Sequence, residues 1–269
     1  MTVLERIFGV ERPLVAMCHL QGLPGRPRHD AAAGMDRIVD CLGRDVRALQ
    51  DAGVHGLLFC NEHDIPYQLR VGPEAVAAMA AAIGQLRGEL RLPFGVDLLW
   101  DPGAALAVAR ATGAAFVREV FTGVYESDMG LMAPSLGELA AYRHAIGAGE
   151  VALFANITPE FSRSVSRRPV AERARSAAFL GVDALLVSGQ MAGVSAELED
   201  LREAREAATG VPVLANTGVN EDNVGRILKV ADGVVVGTSL KVDGHIWNPV
   251  DPDRARRLVD AVAGLGSSR

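Results

Sequence analysis

Ala52-Gly53-Val54-His55-Gly56-Leu57, Thr112-Gly113-Ala114-Ala115-Phe116, Leu180-Gly181-Val182-Asp183-Ala184-Leu185 and Val230-Ala231-Asp232-Gly233-Val234 are four versions of one junction. Each follows an amphipathic stretch and leads into a short apolar run, with glycine or another small residue at the turning point. Glycine reaches the left-handed conformation that ends a helix without steric cost, so the junction stops a helix and returns the chain to a strand. Its recurrence implies repeated helix-then-strand units.

Outward from these junctions, apolar runs of strand length fall at 14–19, 56–60, 94–98, 115–120, 151–156, 184–188, 213–216 and 233–236. Between them, 75–87, 102–111, 135–146, 171–180, 197–208 and 220–230 carry helical spacing. Strict alternation of strand and helix predicts parallel strands joined by right-handed crossovers. Eight such units in 269 residues predict a (β/α)8 TIM barrel forming a single domain over residues 1–269. The competitor, an open doubly wound sheet, is weakened because no Gly-x-Gly-x-x-Gly follows the first strand. Residues 20–35, rich in Gly, Pro and Ala, are expected to form a long first loop over the mouth.

The composition, 49% apolar but 5% aromatic, suits helices packed closely on a parallel sheet rather than a stacking surface for bases. A net charge of −6 argues against nucleic acid as a partner. Arg163, Arg167, Arg168, Arg173 and Arg175 form the one dense basic stretch, read either as a solvated helix face with its lead-in loop or as a patch for an anionic ligand or partner. Cys18, Cys41 and Cys60 have neither the even number nor the spacing of a disulfide framework or zinc site, which points to a reducing compartment. Residues 1–13 place Glu5 and Arg6 among apolar residues, and no later run reaches the length of a membrane span. The expectation is a cytoplasmic chain without a membrane span, and homo-oligomerisation is common enough in such proteins to be expected.

In a barrel the loops after the strands build the site, so polar residues at strand ends are the first candidates. These are His19, Asn61, Glu62, Asp97, Glu119, Asn156, Ser188, Asn216 and Lys241. Asn216-Thr217-Gly218-Val219-Asn220 and Gly237-Thr238-Ser239, after the last two strands, have the form of phosphate-binding loops, in which backbone N–H groups approach an anion closely. Ser188 and Gly189 add donors nearby, and Lys241 supplies a charge to the same anion or else sits in solvent. Asp97, Glu62 and Glu119 are candidates for general acid/base work, since burial moves a carboxyl towards neutrality; the alternative is pairing with Arg118. His19, His63 and Asp64 raise a divalent metal as an open question, without ligand spacing to support it. The cofactor is left unassigned, a divalent metal being the one considered, and neither a Gly-x-Ser-x-Gly elbow nor a Walker loop occurs.

Six stretches together resemble the BtpA/SgcQ family of TIM-barrel proteins, and within it the SgcQ-like branch. They are residues 59–67, 95–102, 118–130, 153–160, 215–219 and 236–244, including Gly95-Val96-Asp97-Leu98-Leu99-Trp100-Asp101-Pro102 and Val236-Gly237-Thr238-Ser239-Leu240-Lys241. The resemblance implies a barrel like those that bind ribulose phosphate. BtpA-like members are associated with photosystem I biogenesis, and SgcQ-like members with carbohydrate uptake and sugar-phosphate enzymes. The chain departs from relatives in two places, carrying Asp97 where Asn is frequent and Asn156-Ile157-Thr158-Pro159-Glu160 where BtpA-like members have Asp-Val-His-Val-Lys.

Two functions follow. One is an enzyme acting on a phosphorylated small molecule, a sugar phosphate or nucleotide-derived sugar, by lyase or isomerase chemistry. Asp97, Glu119, Glu62 and Asn156 would act at the reacting carbon, and Ser188, Gly189, Asn216, Gly218, Gly237, Thr238 and Lys241 would hold phosphate. The other is a non-catalytic assembly or regulatory factor that keeps the barrel.

Overall fold

The computed structural model describes residues 1–266, so the last three positions of the expected domain lie outside the described residues. The chain runs α1 (Val3–Phe8), β1 (Leu14–His19), α2 (Gly34–Ala52), β2 (Gly56–Cys60), α3 (Pro73–Gln85), β3 (Phe94–Asp97), α4 (Pro102–Thr112) and β4 (Phe116–Glu119). It continues through β5 (Tyr125–Ser127), β6 (Gly130–Met132), α5 (Leu136–Ala145), β7 (Ala152–Asn156), β8 (Ser162–Ser164) and α6 (Val170–Phe179). Then follow β9 (Ala184–Val187), α7 (Leu198–Ala207), β10 (Val213–Ala215), α8 (Val224–Ile227), β11 (Gly233–Val236) and α9 (Pro252–Gly266). Eight of the strands, in the order β1-β11-β10-β9-β7-β4-β3-β2, close a barrel. All eight pair in parallel, and β1 meets β11 with Leu14 opposite Val234. Among the described residues no helix is long and apolar enough to cross a membrane.

The glycine junctions do more than turn the chain. Gly53, Gly113 and Gly181 hold φ of +88°, +77° and +88°, the left-handed geometry expected of them. The residue just before each strand then clasps the neighbouring strand. His55, Ala115, Asp183 and Asp232 donate their backbone N–H to Leu14, Phe94, Leu153 and Val213 at 3.0, 2.8, 2.9 and 2.7 Å. Three of them also accept in return, His55 Nδ1 from Leu14 N, Asp183 Oδ2 from Leu153 N and Asp232 Oδ2 from Val213 N, at 3.0, 2.8 and 3.0 Å. The first N–H of a parallel strand has no ladder partner on that side, so the side chain supplies one. Burial lowers the pKa of His55, consistent with a neutral ring whose Nδ1 accepts.

Alternation along each strand separates two cores. Leu14, Ala16 and Cys18 of β1, with Leu57, Phe59, Val96, Val117 and Leu153, pack beneath the helices. Val15, Met17, Leu58, Cys60, Phe116, Phe154, Leu186 and Val235 fill the barrel interior. The barrel floor is aromatic: Phe116 stacks on Phe154 with centroids 4.6 Å apart, and Phe8 from α1 meets Phe116 edge-on at 5.5 Å. Gly56 makes room for Phe8, since a Cβ there would overlap its ring. Thus α1 plugs the N-terminal end, and polar groups are left for the other.

Two features depart from the sequence expectation. The helix expected at 220–230 is reduced to the single turn of α8. Asn220 Oδ1 accepts from the N–H groups of Asp222 and Asn223 at 3.0 and 3.1 Å, and Asn223 Oδ1 accepts from Asn220 N at 2.9 Å. These bonds have the form of a cap at Asn220, which satisfies the first N–H groups of the turn. The second feature is a three-stranded antiparallel sheet, β6-β5-β8, built from the loops after β4 and β7. Its strands of three residues are too short for periodicity to reveal.

Phe8→Ala leaves a hole in the barrel floor and is expected to lower stability by about 3 kcal/mol, as large-to-small aromatic changes in cores do. Urea unfolding followed by circular dichroism checks it.

Candidate functional site

Above the aromatic floor the interior becomes polar within one residue step of each strand. Asp97 lies two positions beyond Gly95, and Arg118 two beyond Phe116, so period-two alternation turns both inward. Arg118 is 5% exposed and is the charge at the centre. It pairs with Asp97 through Nη1 and with Glu160 through Nη2, the latter at 2.6 Å. Burial works against its charge, but the two carboxylates outweigh burial and hold it protonated.

Glu160 continues the network. Asn156 Nδ2 donates to its Oε2 at 2.9 Å, and Asn216 Nδ2 donates to its Oε1 at 3.1 Å. Asn216 Nδ2 also donates to Ser188 Oγ at 2.7 Å, and Ser188 Oγ donates to Asn156 Oδ1 at 3.3 Å. Side chains from β7, the loop after it, and the ends of β9 and β10 thereby form one ring. Capacity remains unused, because Asp97 Oδ1, Arg118 Nε and Asn216 Oδ1 are buried without a hydrogen-bond partner. Such atoms in a buried site call for water or ligand.

A second acid group faces the same space. Tyr67 donates to Glu62 Oε1 at 2.7 Å, and Cys60 Sγ lies 3.6 Å from Glu62 Oε2. Burial pushes the Glu62 carboxyl up, against the hydrogen bond from Tyr67. His19 Nε2 stands 3.9 Å from Glu62 Oε2, and burial together with the charge of Lys241 keeps the His19 ring neutral. Glu119 is buried too, and burial followed by the charge of Asp97 raises its carboxyl well above the usual range. It follows Arg118 directly, so alternation gives it the face of Val117, towards the helices.

Residues that hold the loops separate from those that face the interior. Asp64 accepts from Leu23 N at 2.8 Å and from Asn61 Nδ2 at 2.9 Å, tying the long first loop to the end of β2. Lys241 is 1% exposed and bonds Asp45 Oδ2 at 2.8 Å, while Asp45 Oδ1 accepts from Val250 N at 2.9 Å. Its charge is therefore paired within the protein and away from solvent, and it fastens the last loop to α2. At the rim, Trp247 of that loop lies under the Arg28 guanidinium at 4.5 Å and against the His63 ring at 5.0 Å. Among the described residues no group of three or more His, Cys, Asp or Glu is arranged to hold a metal ion.

The expected phosphate loops meet at a cavity of about 430 Å³ whose lining includes Gly218, Gly237, Thr238, Ser239 and Arg254. Gly218 has φ +64°, and a Cβ on it would overlap the backbone of Val194 and Ser195. Its lack of a side chain thus serves loop packing as well as any ligand. Gly237 backs onto the interior, since a Cβ added there would stand 3.3 Å from the His19 ring. Ser188 and Gly189 line a different cavity, over β7 and β9, while Asn216 joins the central ring.

Comparison with known proteins places this arrangement. The family model described as BtpA family matches residues 10–264. The chain belongs to the BtpA family. It is 44% identical to the sgc region protein SgcQ of Escherichia coli, over 97% of this chain and 98% of that one. It is 32% identical to the photosystem I biogenesis protein BtpA of Synechocystis, over 98% and 93%. Solved structures share the fold at lower identity. Thiamine phosphate pyrophosphorylase from Pyrococcus furiosus gives a TM-score of 0.59 at 18% identity, covering 95% of this chain and 98% of that one. Phosphoribosylanthranilate isomerase from Thermotoga maritima gives 0.57 at 12%, covering 94% and 99%. The fold of this BtpA family chain is the closed parallel barrel that these enzymes share.

Sequence reasoning missed Glu160 and Tyr67 as site residues and treated Arg118 only as a partner. The one available signal for Glu160 was its carboxylate four positions after Asn156, in a loop that follows a strand.

Arg118→Met would strand Asp97 and Glu160 as buried, unpaired carboxylates, with an expected loss of about 3–5 kcal/mol in chemical denaturation. A second expectation concerns pH. Burial, then the charges of Lys241 and Arg28, lowers the His63 pKa from 6.5 to about 4. The unfolded chain binds the extra proton, so this contribution is complete above pH 6.5 and disappears as pH falls through about 4. His19 and His55, also lowered, act with the same sign. Replacing His63 by Gln should flatten, though not abolish, the acid-side slope of stability against pH.

Proposed function

We propose that this chain is an enzyme acting on a phosphorylated small molecule of the sugar-phosphate type by acid/base chemistry of the lyase or isomerase kind. The observation that carries the reading is the juxtaposition of a buried polar layer with uncommitted acceptors and an adjoining cavity at the expected phosphate loops. Gly218, Gly237 and Thr238 present the phosphate pocket, and Arg254 contributes positive charge to its lining. Glu62 and Asp97 face the interior from adjacent strands and are assigned the proton transfers. Burial raises both carboxyls and so favours the protonated form; at Asp97 the Arg118 guanidinium opposes burial without outweighing it, and Glu62, which has no such cation paired to it, is assigned the first donation. Asn156, Ser188 and Asn216 orient hydroxyls, and Glu119 supports from behind the strand. Several solved structures of like fold carry phosphorylated compounds in their names, including a fructose 1,6-bisphosphate aldolase.

A protein-assembly role has its own support in the relative named for photosystem I biogenesis and in Leu131 and Val165, 62% and 59% exposed on or beside the small sheet. The enzyme reading is preferred because Asn156 and Glu160, at one of the places where the sequence departs from BtpA-like relatives, sit inside the buried network.

A thermal-shift screen against inorganic phosphate, pentose and hexose phosphates and nucleotides decides between them. A ligand at 100 times its dissociation constant adds roughly 2.7 kcal/mol, an easily read rise in melting temperature. A selective rise with one phosphorylated class is expected, and Glu62→Gln should abolish turnover of that class while keeping the rise. A flat response across the panel would overturn the enzyme reading.

A further inference from the structure

We infer that the cavity over the ends of β7 and β9 is a second anion site, so that the substrate carries an anionic group at each end of a hydroxyl-bearing chain. This rests on the function proposed above and narrows its substrate class.

The cavity, about 290 Å³, draws two members of the basic stretch to one place, Arg163 from β8 and Arg173 from α6. Arg173 Nη1 donates to Ile157 O at 2.6 Å, which anchors the guanidinium, yet its Nε is buried with no acceptor. Arg163 is exposed and pairs with no carboxylate among the described residues. Asp200 also lines the cavity and offsets one of the two positive charges, leaving an excess of one. Guanidinium donors without acceptors, converging on a polar hollow, suit a phosphate or carboxylate. The hydroxyls of Thr158 and Ser162 donate to Ser188 O and Pro159 O at 3.1 and 2.6 Å, so the arginines are the charged donors there, beside the neutral amide of Gln190.

Position relates this cavity to the chemistry. Ser188 lines it and bonds both Asn156 and Asn216 of the central ring. Gly237 lines the phosphate-loop cavity and packs close against His19. Each hollow therefore has one lining residue beside the polar layer, Ser188 in one and Gly237 in the other. Neighbouring strands lie about 4.8 Å apart, so the loop pairs of β7/β9 and β10/β11 are separated by roughly 10 Å at the rim. A short carbon chain with a charged group at each end spans that distance. Between the two hollows, at the end of β10, Asn216 Oδ1 lacks a donor, which a hydroxyl would provide.

Equilibrium dialysis of labelled inorganic phosphate against the full chain, at constant ionic strength, tests the inference. Wild type is expected to bind two phosphates per chain. Arg173→Gln should bind one, and so should Arg254→Gln, each leaving the other site as an internal control for folding. Arg163→Gln, which breaks no contact within the protein, should weaken only the Arg173-dependent site, by about threefold or more. One phosphate in wild type, lost in Arg254→Gln and untouched by Arg173→Gln, would overturn the second site and leave the proposed function standing. No phosphate bound by wild type would overturn both.

Discussion

The guanidinium of Arg118, held between Asp97 and Glu160 inside a closed barrel, is the interaction around which the mouth is organised. A buried charge is tolerated only when its partners are close and their remaining lone pairs are used. That requirement propagates. Glu160 must be brought back over the barrel from the loop after β7, and Asn156 and Asn216 hold it there. Fixing Glu160 fixes the start of β8, which in turn pairs with β5 from the loop after β4. The small antiparallel sheet is thus tied to the same charge that shapes the interior.

A division of labour between polar residues follows. Asp45, Asn61, Asp64 and Lys241 spend their hydrogen bonds on loops: the long loop after β1, the turn after β3, and the last loop before α9. Asp97, Arg118 and Asn216 keep part of theirs. Position at the end of a strand does not separate the two sets, since Asn61 and Asp97 both end their strands and face different tasks. Satisfaction of donors and acceptors does separate them, and it is a property of the folded chain alone.

The floor makes this arrangement affordable in packing terms. Phe8, Phe116 and Phe154 fill the N-terminal half of the barrel with aromatic rings, so no polar group is needed there. The buried polar groups of the barrel interior are confined to its C-terminal end, where the loops differ in length and chemistry. Membership of the BtpA family covers almost the whole chain, whereas likeness to solved barrels at 12–18% identity speaks for fold alone.

By itself the sequence determined the barrel. Eight apolar runs, amphipathic spacers and glycine junctions each act within a few residues, and local rules suffice to read them. It also marked the strand ends, hence Glu62, Asp97, Asn156, Ser188 and Asn216, because the barrel puts strand ends at the mouth. Only the tertiary structure decided which of these meet. Lys241 turned to Asp45, 196 positions away in sequence; Glu119 took the opposite face from Arg118; and Glu160, unremarkable in a loop, became a partner of the central charge. The helix expected at 220–230 closed as a single turn capped by Asn220. The reason is the same throughout: hydrophobic periodicity is a local property, whereas the pairing of buried charges depends on groups far apart in the chain and close in space.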